Sequence, residues 1–147
     1  MAANDFASFA KRMRKRSEAM DGLGNTVVIE ASSAMLRELV EVTPVDTSEA
    51  VSSWEVGIGV KPVATRAPFF SGRRGSTRGA SSAKAIEEGL AAIKAKRPGQ
   101  SVYLSNAAPY IGDLDDGSST QFAGGFVDRA LIVFRVTFQA TVKRLLK

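Results

Sequence analysis

The chain has 147 residues, 44% hydrophobic and 24% charged, and it contains no cysteine and no histidine. Without cysteine there is no disulfide framework and no thiolate metal site; without histidine there is no imidazole base, no Ser-His-Asp or Cys-His triad and no imidazole-bound zinc. The length favours one domain, residues 1–147, large enough to bury its own core.

Residues 4–20 read as an amphipathic helical arm, capped by Asn4 or Asp5. Phe6, Phe9, Met13 and Met20 fall on one stripe of a 3.6-residue period, and Lys11, Arg12, Arg14, Lys15 and Arg16 cover the rest. So narrow a stripe suits a helix lying on a partner surface. The stretch Asp21-Gly22-Leu23-Gly24-Asn25 predicts a bend or a restart, because glycine costs about 1 kcal/mol in a helix interior. Residues 26–42 read as a second helix or a continuation of the first, with Asn25 or Thr26 as a cap. Val28, Met35, Leu39 and Val42 form its apolar row, widened by Ile29, Ala31, Leu36 and Val40.

Pro44 ends that helix, since the residue before proline is pushed out of the α region. Asp46 or Thr47 then caps a new turn, with Glu49 at capping-box spacing from Asp46. Over residues 54–61, Trp54, Val56, Ile58 and Val60 alternate with small or charged residues, which is a half-buried strand with Trp54 as a core residue at its head. Residues 62–80 hold two prolines, three glycines, four arginines and no acid. With no periodic apolar face and no counter-charge inside the segment, a flexible basic loop is expected.

Residues 81–95 return to a helical pattern, with Ser81 or Ser82 as cap and Ala85, Ile86, Leu90 and Ile93 on the apolar side. Residues 101–105 read as a short strand, with Val102 and Leu104 on one face and Tyr103 on the other. The run from Phe126 to Leu146 supports two periods. At period 2, Phe134, Val136, Phe138, Ala140 and Val142 alternate with polar residues; at 3.6, Val127, Leu131, Phe134, Phe138, Thr141 and Leu145 make one row. The run lacks Gly and Pro and is far longer than a typical strand of about 5–6 residues, so a helix is expected. The fold class is therefore α+β: a small antiparallel sheet packed against two or three long helices, with a long basic loop.

The net charge of +5 is unevenly placed: residues 1–16 carry +4, 17–60 carry −7, 61–100 carry +7 and 101–147 carry +1. Such blocks suit solvated faces, self-association of a basic segment on an acidic one, or a nucleic-acid surface. The candidate contact residues are Lys11, Arg12, Arg14, Lys15 and Arg16 in the arm, Arg66, Arg73, Arg74 and Arg78 in the loop, and Lys94, Lys96 and Arg97 beyond it. Asp113-Leu114-Asp115-Asp116-Gly117 lacks the alternating ligands and distal Glu of an EF-hand. It reads as an acidic helical turn ended by Gly117 in the left-handed region. Ser71-Gly72-Arg73-Arg74-Gly75-Ser76 lacks the Gly-Lys-Ser/Thr ending of a phosphate loop, though its arginines can contact phosphates. No acid–base pair stands out, so neither catalysis nor a cofactor is expected. No signal-peptide core and no membrane span of about 18 apolar residues is visible, and an intracellular chain without a membrane partner is expected.

Several segments, in order, resemble the tail-completion or head–tail joining (neck) proteins of long-tailed phages, relatives of the lambda minor tail protein Z. They are Thr43-Pro44-Val45-Asp46-Thr47-Ser48, then Trp54 leading a strand, Asn106-Ala107-Ala108-Pro109-Tyr110, Asp115-Asp116-Gly117-Ser118-Ser119, and Gly124-Gly125-Phe126 entering the last helix. Ser48 stands where that family usually has Gly, which suggests a capped helical turn rather than a positive-φ turn. Gly124-Gly125 stands where a proline usually precedes the last helix. Asn106 would end its strand, Pro109 would open a short helix holding Tyr110, and Asp116-Gly117 would stop it. The resemblance implies a structural virion protein, made in the host cytoplasm, that forms a hexameric ring at the neck. Its partners would be head-side connector proteins and the tail tube or tail terminator, with DNA possible in the lumen. The alternative is a non-enzymatic nucleic-acid-binding protein using the basic arm and loop.

Overall fold

The computed structural model describes residues 2–147, with side chains from Asp5 onward. The first element, α1, is one unbroken helix from Ala2 to Val42, about 60 Å long at 1.5 Å per residue. The glycines at 22 and 24 therefore do not break or restart it. Thr26 does not cap a second helix; its hydroxyl donates to the Gly22 carbonyl of the preceding turn at 3.1 Å. Asp5 lies inside the first turn rather than ahead of it, and the Asn4 side chain lies outside the described residues.

A short helix α2, Glu49–Ser52, follows Pro44. Its leading residue, Ser48, has φ 70°, so the position keeps the left-handed backbone that a glycine would supply, contrary to the capped turn expected from its side chain. No side chain caps α2. Asp46, expected to do so, instead accepts the Arg74 N–H on Oδ1 at 2.6 Å and the Gly75 N–H on its carbonyl at 2.9 Å.

Strand β1, Trp54–Ile58, pairs antiparallel with β2, Val102–Asn106, placing Trp54 opposite Asn106 and Ile58 opposite Val102. β1 stops short of the predicted Lys61 because Gly59 turns at φ 77° and leaves Val60 exposed. β2 runs one residue later than predicted, since Ser101 only accepts the Gly59 N–H at 2.9 Å. Helix α3, Arg78–Lys94, starts before the serines expected to cap it. Ser81 is fully buried, and its hydroxyl meets both the N–H and the carbonyl of Phe70 at 3.3 Å. Helix α4, Ile111–Asp115, opens after a turn closed by Ile111 N–H to the Ala108 carbonyl, so Pro109 precedes the helix rather than starting it.

Helix α5, Phe126–Leu145, settles the ambiguous last segment in favour of the 3.6 period. Its buried row is Phe126, Ala130 and Thr141; Leu131 and Phe138, placed on the apolar row by the sequence, are exposed. α5 runs antiparallel along α1, with Arg129 meeting Glu38 at one end and Arg144 meeting Glu30 at the other. The core joins Leu36, Leu39 and Val40 of α1 to Val51, Trp54, Ile93 and Phe126. The architecture is α+β, a two-stranded antiparallel sheet packed among long helices. No helix among the described residues is long and apolar enough to cross a membrane.

Candidate functional site

α5 ends opposite Met20 and Leu23 of α1, where Val27, Val28, Phe138, Val142 and Leu145 enclose an apolar pocket. Among the described residues, those of α1 from Lys11 to Gly22 are all exposed. Phe6 is 75% exposed and Met20 64%, with Phe9 and Met13 exposed between them. Lys11, Arg12, Arg14, Lys15 and Arg16 are exposed too and form no ion pair among the described residues. The arm thus presents every residue of the apolar stripe and of the basic cluster that the sequence singled out.

The basic loop behaves differently, and its four arginines separate. Arg66 pairs with Glu55 of β1 at 2.6 Å and Glu88 of α3 at 2.7 Å, and its guanidinium lies 5.0 Å from the centre of the Phe69 ring. Arg78, the first residue of α3, donates to the Glu41 carbonyl at 2.6 Å. Arg74, at φ 53°, is anchored through its backbone N–H to Asp46, while its side chain and that of Arg73 are exposed. Thr77 donates to the Phe70 carbonyl at 2.7 Å, and Phe69 N–H donates to Ser52 at 3.0 Å. Glu55 of β1 and Glu88 of α3 supply counter-charge to Arg66 alone of the four arginines. Lys94 and Arg97 are exposed. Lys96 is buried: its ammonium donates to Asn25 Oδ1 at 2.6 Å and the Arg97 carbonyl at 3.1 Å, tying the end of α3 to α1. Arg66, Arg78 and Lys96 are therefore internal ties rather than free contact residues.

The motif residues converge. Pro44, Asp46, Thr47 and Glu49 meet Tyr110 and Leu114 around an open groove of about 380 Å³. Gln121 closes one side by pairing with both backbone groups of Val45: its amide donates to the carbonyl at 2.9 Å and accepts the N–H at 3.0 Å. Burial, and then the neighbouring Glu49 carboxylate, push the Tyr110 phenol above its ordinary value. Asn106, the last residue of β2, donates to the Ala50 carbonyl at 2.8 Å and accepts the Ala108 N–H at 3.0 Å, so it ends the strand and aims the chain at α4. Asp116 ends α4 and Gly117 follows at φ 92°. Next to this groove a second pocket of about 300 Å³ includes Trp54, Asn106, Asp115 and Phe126. Asp115 receives the Val127 N–H on Oδ1 at 3.2 Å and the Gly125 N–H on its carbonyl at 2.7 Å, so a remote carboxylate starts α5.

Sequence reasoning missed Asp115 and Gln121 as organisers and Glu30, Glu38, Glu55 and Glu88 as ion-pair partners. None carries a local signal, since each acts on a residue far away in the chain. Chemically the groove offers an apolar floor with carboxylates on its rim, suited to a basic or amphipathic segment. No known family model matches the chain, and no curated protein and no solved structure matches it.

Proposed function

We propose that this chain is a non-catalytic structural subunit of a tailed-phage neck, a tail-completion protein. Copies assemble into a ring, hexameric to match a sixfold tail tube, between the head-side connector and the tail tube or tail terminator. The observation that carries the reading is the convergence of the ordered motifs. Residues 44–48, Tyr110, and Ser119 with Gln121 beyond Asp116 are far apart in sequence, yet they build one groove and its wall. Weak motifs scattered by chance have no reason to meet in space. The exposed arm adds support, because an apolar stripe left in water is characteristic of a surface completed by a partner. Closed rings use heterologous contacts, which suit a subunit whose ends differ in charge.

Negative-stain imaging of the purified protein, alone and mixed with tails, tests this reading. Rings and added density at the head-proximal tip of the tail are expected. A protein that stays monomeric at every concentration and leaves tails unchanged overturns it. One observation favours a second reading, nucleic-acid binding: the five basic groups of the arm lie within Lys11–Arg16 and are free of ion pairs among the described residues. Salt-dependent retention of the monomer on duplex DNA supports that reading; ring formation without DNA supports the neck.

A further inference from the structure

An exposed basic, apolar-striped surface and an acid-rimmed groove sit at opposite ends of α1. At one end Phe6, Phe9 and Met13 lie exposed on a stripe that continues the face covered by α5 from Leu23 onward, flanked by Arg12 and Arg16, which form no ion pair among the described residues. At the other end lies the groove, with Pro44, Val45, Tyr110 and Leu114 as its apolar lining and Asp46 and Glu49 on its rim. Asp113 and Asp116, both exposed, extend the acidic side along α4. Of the nearby arginines, Arg78 is engaged by the Glu41 carbonyl and Arg74 approaches Asp46 by its backbone. The free negative charge is thus concentrated on the Glu49 and α4 side. A continuous helix holds arm and groove apart by about 45 Å, from Met13 to the end of α1. The arm cannot reach the groove of its own subunit.

We propose that the arm of one copy docks in the groove of the next copy, head to tail. Phe6, Phe9 and Met13 cover the apolar lining, and Arg12 and Arg16, one turn apart on the flank beside that stripe, meet Glu49 and Asp113. The occupant is a second copy of this chain because the basic arm and the acidic rim are complementary in charge and in apolar content. Arm-to-arm pairing would set five basic groups against five. Such a contact is heterologous, so it propagates until it closes into a ring or extends as a filament. The inference rests on the assembling-subunit reading above and names the contact that makes the assembly.

The absence of cysteine permits a direct test. Copies carrying Phe9→Cys in the arm are mixed with copies carrying Ser119→Cys in the groove and treated with a short bis-maleimide. A cross-linked dimer is expected in the mixture and in neither preparation alone. Cross-linking of Phe9→Cys copies to one another overturns the proposal in favour of arm pairing. In sedimentation, Arg12→Glu with Arg16→Glu should weaken association roughly tenfold. Adding Glu49→Lys and Asp113→Lys to the same chain should restore it, which a misfolded variant would not allow. Rings that form without the mixed cross-link and ignore the charge reversal overturn the arm contact and leave the neck reading standing. Mixed cross-links in open chains that never close uphold the contact and overturn the ring. A monomer that forms no cross-link but binds duplex DNA through the arm overturns both.

Discussion

Ser48 sits in a backbone region that costs a residue with a Cβ about 1–2 kcal/mol. Its hydroxyl lies 2.8 Å from that of Thr77, and Thr77 gives its own proton to the Phe70 carbonyl, so Ser48 is the donor. Ser48→Ala loses this bond and keeps the strain, and should lower stability by about 1 kcal/mol. Ser48→Gly loses the same bond but relieves the strain, and should stay within about 1 kcal/mol of the parent. Urea midpoints separate the two; equal values would mean that the strain is not there. Trp54 is buried, edge-on to Phe126, and donates from Nε1 to Thr43 Oγ1 at 2.8 Å, while Thr43 donates to the Leu39 carbonyl at 2.5 Å. Trp54→Ala should cost about 3–5 kcal/mol. Thr43→Val, nearly isosteric, leaves the indole N–H buried without its acceptor and should cost about 1–3 kcal/mol. A neutral Thr43→Val in the same melts would show that water reaches the indole.

Helix propensity and packing act in opposite directions on the glycines of α1 and α3. A Cβ at Gly22 or Gly24 meets no atom within 4 Å, whereas one at Gly89 runs into the buried Leu36 side chain and presses on Val56. Gly22→Ala and Gly24→Ala should each stabilise by about 0.8–1 kcal/mol. Gly89→Ala should destabilise by about 1–3 kcal/mol in spite of the same propensity gain. Chemical denaturation of the three variants checks the opposite signs. α1 survives two interior glycines because α5 packs along it from Met20 and Leu23 onward, and tertiary contact outweighs a local penalty of this size. The basic loop gives the complementary lesson, because one of its arginines, Arg66, finds Glu55 and Glu88 on elements that flank it in space.

Across the whole molecule α5 is pinned to α1 at both ends. Glu38 takes Arg129, and Glu30 accepts the Thr141 hydroxyl at 2.8 Å and the Arg144 guanidinium at 2.5 Å. The Thr141 bond first, and then Arg144, hold the Glu30 carboxyl below its ordinary value. A carboxyl lowered by folding stabilises the fold only while ionised. The contribution is complete above the ordinary glutamate range and disappears as pH falls through the lowered value. An exposed contact of this kind contributes at most about 1 kcal/mol. Glu30→Gln should therefore lower the urea midpoint at neutral pH and match the parent in acid. A gap that persists unchanged into acid would mean that the charge of Glu30 plays no part.

What the sequence determined by itself is local. The 3.6 period marked α1 and α3, run length without Gly or Pro marked α5, the alternation marked β1, Pro44 and Gly117 marked two ends, and the arm stripe was readable as one apolar face. These follow from backbone geometry and from the spacing of apolar residues, which neighbours in the chain settle among themselves. Only the tertiary structure decided that residues 2–42 are one helix, that Ser48 keeps a glycine's backbone, and that the buried row of α5 avoids Leu131 and Phe138. It also decided that Arg66, Arg78 and Lys96 are tied while the arm cations are free. Each of these depends on a group brought from a distant part of the chain — a helix laid alongside, a hydroxyl, a carboxylate or a carbonyl — and its effect exceeds the roughly 1 kcal/mol by which local preferences differ.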